Sequence, residues 1–248
     1  NMPTPRAPRI AFFDIETAPI NALVWEMFEA NAVHVIEPTF MLCYSLKWGD
    51  QKKIKTRSLN DYPGYDQKRT CDKALVTELH KDMSEADIIC AHNGDSFDIK
   101  KSNSRFIVHG LPPLPPVKSV DTLKIARRYF KFDSNKLDNI GRYLGLGRKL
   151  PNTGKDLWVG CMSGDAKSWR SMRKYNEQDA RLLEAVYNKI APWHVTHPNL
   201  TAYTDKPGCP VCQSQKIQAR GFNVAKTRKT QRLQCQGCGH WFSGATIK

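Results

Sequence analysis

One short stretch restricts the fold of this chain more than any other. In RIAFFDIET, Arg9 to Thr17, an apolar run ends in two carboxylates, Asp14 and Glu16. A run this short, rich in aromatic and β-branched residues, reads as a buried strand. Side chains i and i+2 of a strand point to the same face, so both acids address one point near the strand's end. Carboxylates taken out of water are costly unless cations or hydrogen-bond donors meet them. Any fold that accepts this strand must therefore bring positive charge to its end.

The following segments set that strand in a layered fold. TFMLCYSLKWGDQKKIKTRSL predicts two more strands around a turn at Gly49-Asp50. Leu75, Leu79 and Met83 recur at helical spacing. ADIICAHN predicts a short strand ending at His92-Asn93, and a helix follows from about Asp98 to Val108. LPPLPP stops it, because proline lacks the amide donor that a helix needs. VKSVDTLKIARRYF gives a strand edge and a helix that Asp121 caps, and NKLDNIGRYLGLG gives a short helix closed by glycine. Trp169 to Ile190 is the longest helical pattern. Strands first, then strands alternating with helices, predict an α/β fold with a mixed sheet flanked by helices. APWHVTHPNLTAYTDKPG has little periodicity and reads as a linker over 194–206, between a domain at 8–193 and a small Cys-paired module at 207–248.

Two further places supply acids to the same point. AHNGDSFDIKK puts Asp98 after Phe97, just past the fourth strand, and YNEQDA puts Tyr175 and Asp179 one helical turn apart on one face. His92 is expected to make a structural hydrogen bond. Each element by itself is compatible with solvated carboxylates; their conjunction, in this order, is more specific.

In this order the residues resemble the DEDD superfamily of 3′→5′ exonucleases. Its D-x-E motif is matched by Asp14-Ile15-Glu16. Its second motif, Asn, a short gap and Phe-Asp, is matched by Asn93, Phe97 and Asp98, which leaves Asp95 outside it. The Y-x3-D motif of the tyrosine subgroup is matched by Tyr175 and Asp179, and Lys174 stands where the histidine subgroup has His. NKLDNIGRYLGLGRK and YNEQDARLLEAVY are similar to phage and bacterial members, and the likeness covers residues 8–193. It implies an RNase H-like fold and phosphodiester hydrolysis with two Mg²⁺ or Mn²⁺ about 4 Å apart. By that resemblance Asp14 bridges both ions, Glu16 and Asp179 hold the one carrying the attacking water, Asp98 serves the second, and Tyr175 orients the water. Asn93 and Phe97 are candidate substrate contacts. The family continues with apolar or small residues after Phe-Asp-Ile, whereas Lys100 and Lys101 follow here, as phosphate contacts or as an exposed helix start.

The C-terminal module reads as a zinc ribbon. CPVC (Cys209, Cys212) and CQGC (Cys235, Cys238) are two knuckles separated by 22 residues, somewhat more than the usual spacing, yet two knuckles bracketing a β-hairpin suit one structural Zn²⁺. So small a segment has little core, and the ion would supply its folding energy. From Asp205 to Lys248 there are eight Lys and Arg against one acid, and a Zn²⁺ with four thiolates lowers the net charge from +7 to +5. Lys226, Arg228, Lys229 and Arg232 are candidate substrate contacts, with Phe222, Trp241 and Phe242 available to stack on bases.

Charge fits that reading. The chain carries 38 Lys and Arg against 24 Asp and Glu, a net +14, which favours a polyanionic partner, since phosphate binding by Lys and Arg releases counterions. No apolar run is long enough to span a bilayer and no basic amphipathic helix points to a membrane. Paired CxxC spacing without a secretory signal predicts a reducing compartment, and the resemblance implies the cytoplasm of a bacterial or phage-infected cell. The leading expectation is a 3′→5′ exonuclease acting on nucleic acid, DNA favoured, with a free 3′ end. Two alternatives remain: a nucleic-acid-binding protein on a catalytically silent nuclease scaffold, and an RNase H-fold endonuclease or resolvase.

Overall fold

The computed structural model describes residues 5–28, 30–204 and 206–247. Asp205 and Lys248, counted above in the charge of the ribbon, lie outside them. The central sheet begins with β1 (Ile10–Thr17). A separate hairpin, β2 (Asn21–Leu23) and β3 (His34–Glu37), follows. The chain returns to the sheet with β4 (Met41–Trp48) and β5 (Ile54–Ser58), then forms α1 (Lys73–Ser84). The α/β half continues as β6 (Ile88–Ala91), α2 (Asp98–Val108), β7 (Lys118–Asp121) and α3 (Thr122–Tyr129). It closes with α4 (Leu137–Tyr143), α5 (Lys155–Ser163) and the long α6 (Ala166–Ile190).

The five-stranded sheet runs β5-β4-β1-β6-β7. β1 pairs antiparallel with β4 and parallel with β6, so the sheet is mixed, as the order of patterns predicted. All eight residues of β4 are buried, because helices cover both faces of the sheet; its two polar residues find partners there, the Ser45 hydroxyl 2.9 Å from that of Thr56 and Lys47 Nζ donating to Glu184 Oε1 at 2.6 Å. On β1, Phe13 and Ile15 join a core cluster with α1 residues, whereas Phe12 joins one with residues of α3, α4 and α6. Phe12 meets Tyr187 of α6 edge-on, with centroids 5.0 Å apart. Because side chains alternate, Asp14 and Glu16 share the Phe12 face, and α6 lies over it. The register of β1 against β4 slips between Glu16 and Thr17, a bulge of the kind that re-aims side chains where a strand leaves its sheet.

Two elements had no counterpart among the sequence patterns. The β2–β3 hairpin is too short for alternation to register. The α5 run KDLWVGCMS is apolar nearly all round, and its limits come instead from Gly154 and Gly164, both at positive φ.

The segment read as a linker is packed. It holds a 3-10 turn at Leu200–Tyr203 and buries His197 and Leu200. The Tyr187 hydroxyl lies 2.8 Å from His197 Nε2, and Leu200 N donates to Pro210 O at 2.8 Å. The C-terminal module is a three-stranded antiparallel sheet of β8 (Ile217–Val224), β9 (Lys229–Cys235) and β10 (Trp241–Ile247). Leu200, Cys209, Val211 and Cys235 join Ile190 and Ala191 in one cluster, and His240 Nδ1 reaches Pro192 O at 2.8 Å. The module thus docks on the C-terminal end of α6. No helix among the described residues is long and apolar enough to cross a membrane.

Candidate active site

The acids that the sequence spreads over 166 positions, Asp14 to Asp179, converge. One carboxylate oxygen each from Asp14, Glu16 and Asp179 lies within 4.8 Å of the others. β1 delivers the first two side by side, and α6 lays Asp179 on them. Asp179 is fully buried, and its Oδ1 has no hydrogen-bond partner among the described residues. Asp98, at the start of α2, sits at the edge of this group, and its Oδ1 accepts from Ile15 N at 3.2 Å. The loop leading to it is held from β7: Asp121 accepts from Leu123 N, capping α3 as expected, and also from Asn93 N, both at 2.9 Å. Asn93 itself adopts φ 69, a left-handed turn that Asn tolerates better than most residues.

Burial and mutual repulsion leave these carboxylates short of positive charge. Asp14 is pushed well above the ordinary carboxylate range, by burial first and then by Asp98, Glu16 and Asp179. Glu16 rises to about 8 through burial and Asp179, and Asp98 to about 7 chiefly through burial. Tyr175 stands one turn before Asp179, and burial with the Asp179 charge raises its hydroxyl to about 12. It is therefore a neutral hydrogen-bonding group at physiological pH.

Two residues of the site had no reading in the sequence. Asn176, buried on α6, donates from Nδ2 to Asp14 Oδ2 at 2.7 Å and fixes that carboxylate. A polar residue on the face that also carries Met172, Ala180 and Leu183 was its only trace. Lys149 lies in the loop between α4 and α5; its Nζ is 2.5 Å from Asp179 Oδ2 and 3.2 Å from the Tyr175 hydroxyl. Burial opposes its charge, but Asp179 and Asp14 outweigh burial and hold the ammonium above its ordinary range. It closes the stretch NKLDNIGRYLGLGRK, but nothing local gives it a role, because the loop meets the acids only in the folded chain.

Trp158 of α5 packs edge-on against Tyr175, centroids 6.2 Å apart. Beyond it a groove of 430 Å³ is lined by Thr17, Ile20, Lys101, Lys155 and Trp158. Lys101 Nζ also lies 6.0 Å from the ring of Phe97, which is 39% exposed, while Lys100 is exposed one position away. Lys100 and Lys101 thus stand at the approach to the acids and not among them. His92 makes the structural bonds expected: Nε2 faces Asn135 O and Nδ1 faces the Thr122 hydroxyl, each at 2.9 Å.

The donor set decides what ion this pocket fits. It is all carboxylate oxygen, which hard ions such as Mg²⁺ and Mn²⁺ prefer, and the unpaired Asp179 Oδ1 is a ligand atom in waiting. The C-terminal cluster is of the other kind. Cys209, Cys212, Cys235 and Cys238 bring their sulfurs within 4.8 Å of one another, with Cys209–Cys238 at 3.7 Å and Cys212–Cys235 at 3.5 Å. A tetrahedron with Zn–S of about 2.3 Å has S···S edges of about 3.8 Å. Val211 N and Gly237 N point at Cys209 Sγ and Cys235 Sγ. Burial raises the Cys235 thiol, but the amides of Cys238 and Gly237 outweigh it and bring it down to about 7. The cluster is compatible with a zinc ribbon.

The pattern of one family runs through the whole body. The model of the RNase_H superfamily matches residues 11–191. The chain belongs to the RNase_H superfamily. Among solved structures it is similar to the family B DNA polymerase from the hyperthermophilic archaeon Pyrobaculum calidifontis, at a TM-score of 0.58 and 13% identity. That match covers 93% of this chain and 32% of the polymerase, so the chain spans about a third of its length. No curated protein matches the sequence significantly. This RNase_H superfamily member carries Asp14 and Glu16 on the face of β1 that α6 covers, with Asp179 coming from α6 itself.

Proposed function

We propose that this RNase_H superfamily protein is a metal-dependent 3′→5′ exonuclease that hydrolyses phosphodiester bonds of nucleic acid, DNA favoured. The observation that carries the reading is the meeting of Asp14, Glu16 and Asp179 around an unpaired buried oxygen, with Asp98 at the edge and Tyr175 one turn away. Asp14, Glu16, Asp98 and Asp179 would hold two Mg²⁺ or Mn²⁺, which when bound lower the pKa of water and stabilise the departing oxygen. The chain's own groups do the rest. The Tyr175 hydroxyl, neutral at working pH, holds the attacking water by hydrogen bonding. Asn176 keeps the Asp14 carboxylate in one orientation. The Lys149 ammonium offers positive charge where negative charge grows on the phosphate, which is worth most in a water-poor pocket. Lys100, Lys101 and Phe97 meet the strand at the approach. On the ribbon, Lys229 lies over Phe222 at 4.1 Å and Arg232 over Trp241 at 5.4 Å, cation and aromatic side by side, as a module that grips bases and phosphates requires.

A 5′-labelled single strand incubated with Mg²⁺ or Mn²⁺ tests this. The expected product is a ladder shrinking from the 3′ end, and Asp14→Asn or Asp179→Asn should each slow it by roughly 10³-fold or more while leaving oligonucleotide affinity intact. Binding without cleavage would return the reading to a silent scaffold, and cuts in a circular substrate to an endonuclease.

A further inference from the structure

The β2–β3 hairpin stands off the body as a two-stranded arm, and a lone two-stranded hairpin is marginal in water. This one turns apolar side chains outward. Trp25, Met27 and Phe28 near its tip are 86%, 90% and 82% exposed, and Leu23, Val33 and Val35 are about half exposed. Apolar patches of this kind mark interaction surfaces. Charge narrows what covers it: no Lys or Arg occurs from Ile10 to Leu46, and the charged side chains among the arm's described residues are Glu26 and Glu37, in a chain of net +14. A phosphate backbone is repelled there, whereas a basic apolar surface fits.

Such a surface exists on the same chain. A groove of 680 Å³ lies between the Leu59–Gly64 segment and α1, walled by Tyr62 and Tyr65 and edged by Lys68, Lys73 and Lys81. Its one lining carboxylate, Glu78, is already engaged by Lys55, Arg57 and the Tyr62 hydroxyl. No ion pair among the described residues uses the three lysines. We propose that two copies of this chain associate by seating the Trp25–Phe28 tip of each arm in this groove of the other, with Glu26 among the lysines. The contact is two-fold and self-complementary. Trp25 and Phe28 bury about 150–250 Å² each, two arms double this, and the groove walls add an equal share, which reaches the roughly 1,200–2,000 Å² of a stable complex. Repulsion between two basic bodies is screened beyond about 8 Å at physiological salt, so charge matching at contact range decides.

Sedimentation velocity of the full chain over a concentration series tests the proposal. The expected result is a monomer that converts to a dimer as concentration rises. Trp25→Ser with Phe28→Ser should hold the chain monomeric with an unchanged circular dichroism spectrum, since both side chains are exposed. Glu26→Lys, or Lys68→Glu with Lys73→Glu, should each weaken association roughly tenfold, and all three together should restore it. A monomer at every concentration overturns the proposal, as does association that the arm substitutions leave unmoved. A monomeric protein whose oligonucleotide binding falls with the arm substitutions overturns it too, and makes the arm a nucleic-acid contact.

Discussion

At the scale of the residue, the site is a problem in charge. Glu16 and Asp98, lifted to about 8 and about 7 by burial and neighbouring acids, keep protons in the folded chain that the unfolded chain has already released. Between about pH 4.5 and 8 the folded state binds more protons than the unfolded, so without a divalent ion stability falls as pH rises through that window. An ion that pairs with the carboxylates removes the penalty. The rise in Tm on adding Mn²⁺ should therefore be larger at about pH 8 than at about pH 5, measured by calorimetry against a chelated sample. An equal rise at both would mean that the acids are not where the ion binds. Asn176 and Lys149 belong to the same balance: one donor and one cation spend their hydrogen bonds on Asp14 and Asp179 instead of on solvent.

At the scale of the element, α6 organises the molecule. Its middle carries Tyr175, Asn176 and Asp179, and its far end carries Tyr187 and Ile190, against which the packed segment and the ribbon lie. His197 is the clasp. Its Nδ1 is 2.7 Å from Pro198 O, so that nitrogen bears the proton, and Nε2 accepts from the Tyr187 hydroxyl. Burial, with His194 and His240 nearby, pushes its pKa down to about 4. A lowered histidine pKa contributes stability that is complete above about pH 6.5 and is lost as pH falls toward 4. His197→Asn should make unfolding less steep in acid across that window, as read from urea midpoints at several pH values; an unchanged slope would assign the acid sensitivity elsewhere.

At the scale of the whole molecule, the distance between the ribbon and the acids matters. Asp179 and Ile190 are 11 residues apart on one helix, about 16 Å along its axis at 1.5 Å per residue. The ribbon is therefore anchored a fixed distance from the acids. Removing it wholesale would uncover Ile190 and Leu200, so its part in binding is better tested by charge. Changing Lys226, Arg228, Lys229 and Arg232 to Gln should weaken oligonucleotide binding at low salt. It should also make the plot of log K against log salt shallower, by about 0.7 for each single-strand phosphate that the ribbon no longer neutralises. An unchanged slope would take the ribbon out of the binding surface.

Much of this was legible in one dimension. An apolar run closing on D-x-E, an acid after a later strand and Tyr and Asp one helical turn apart are local patterns, set by strand and helix periods that any residue obeys. CxxC spacing is likewise a property of the chain, because a knuckle must close on one ion. Order of strands and helices was enough to fix a mixed sheet between helical layers, since few layer arrangements bury such faces. Lys149, Asn176, the seating of the ribbon on the end of α6 and the outward face of the arm were decided by tertiary structure alone. Each depends on which surfaces meet across long separations, and that is settled by packing and charge balance among elements, for which no local period exists.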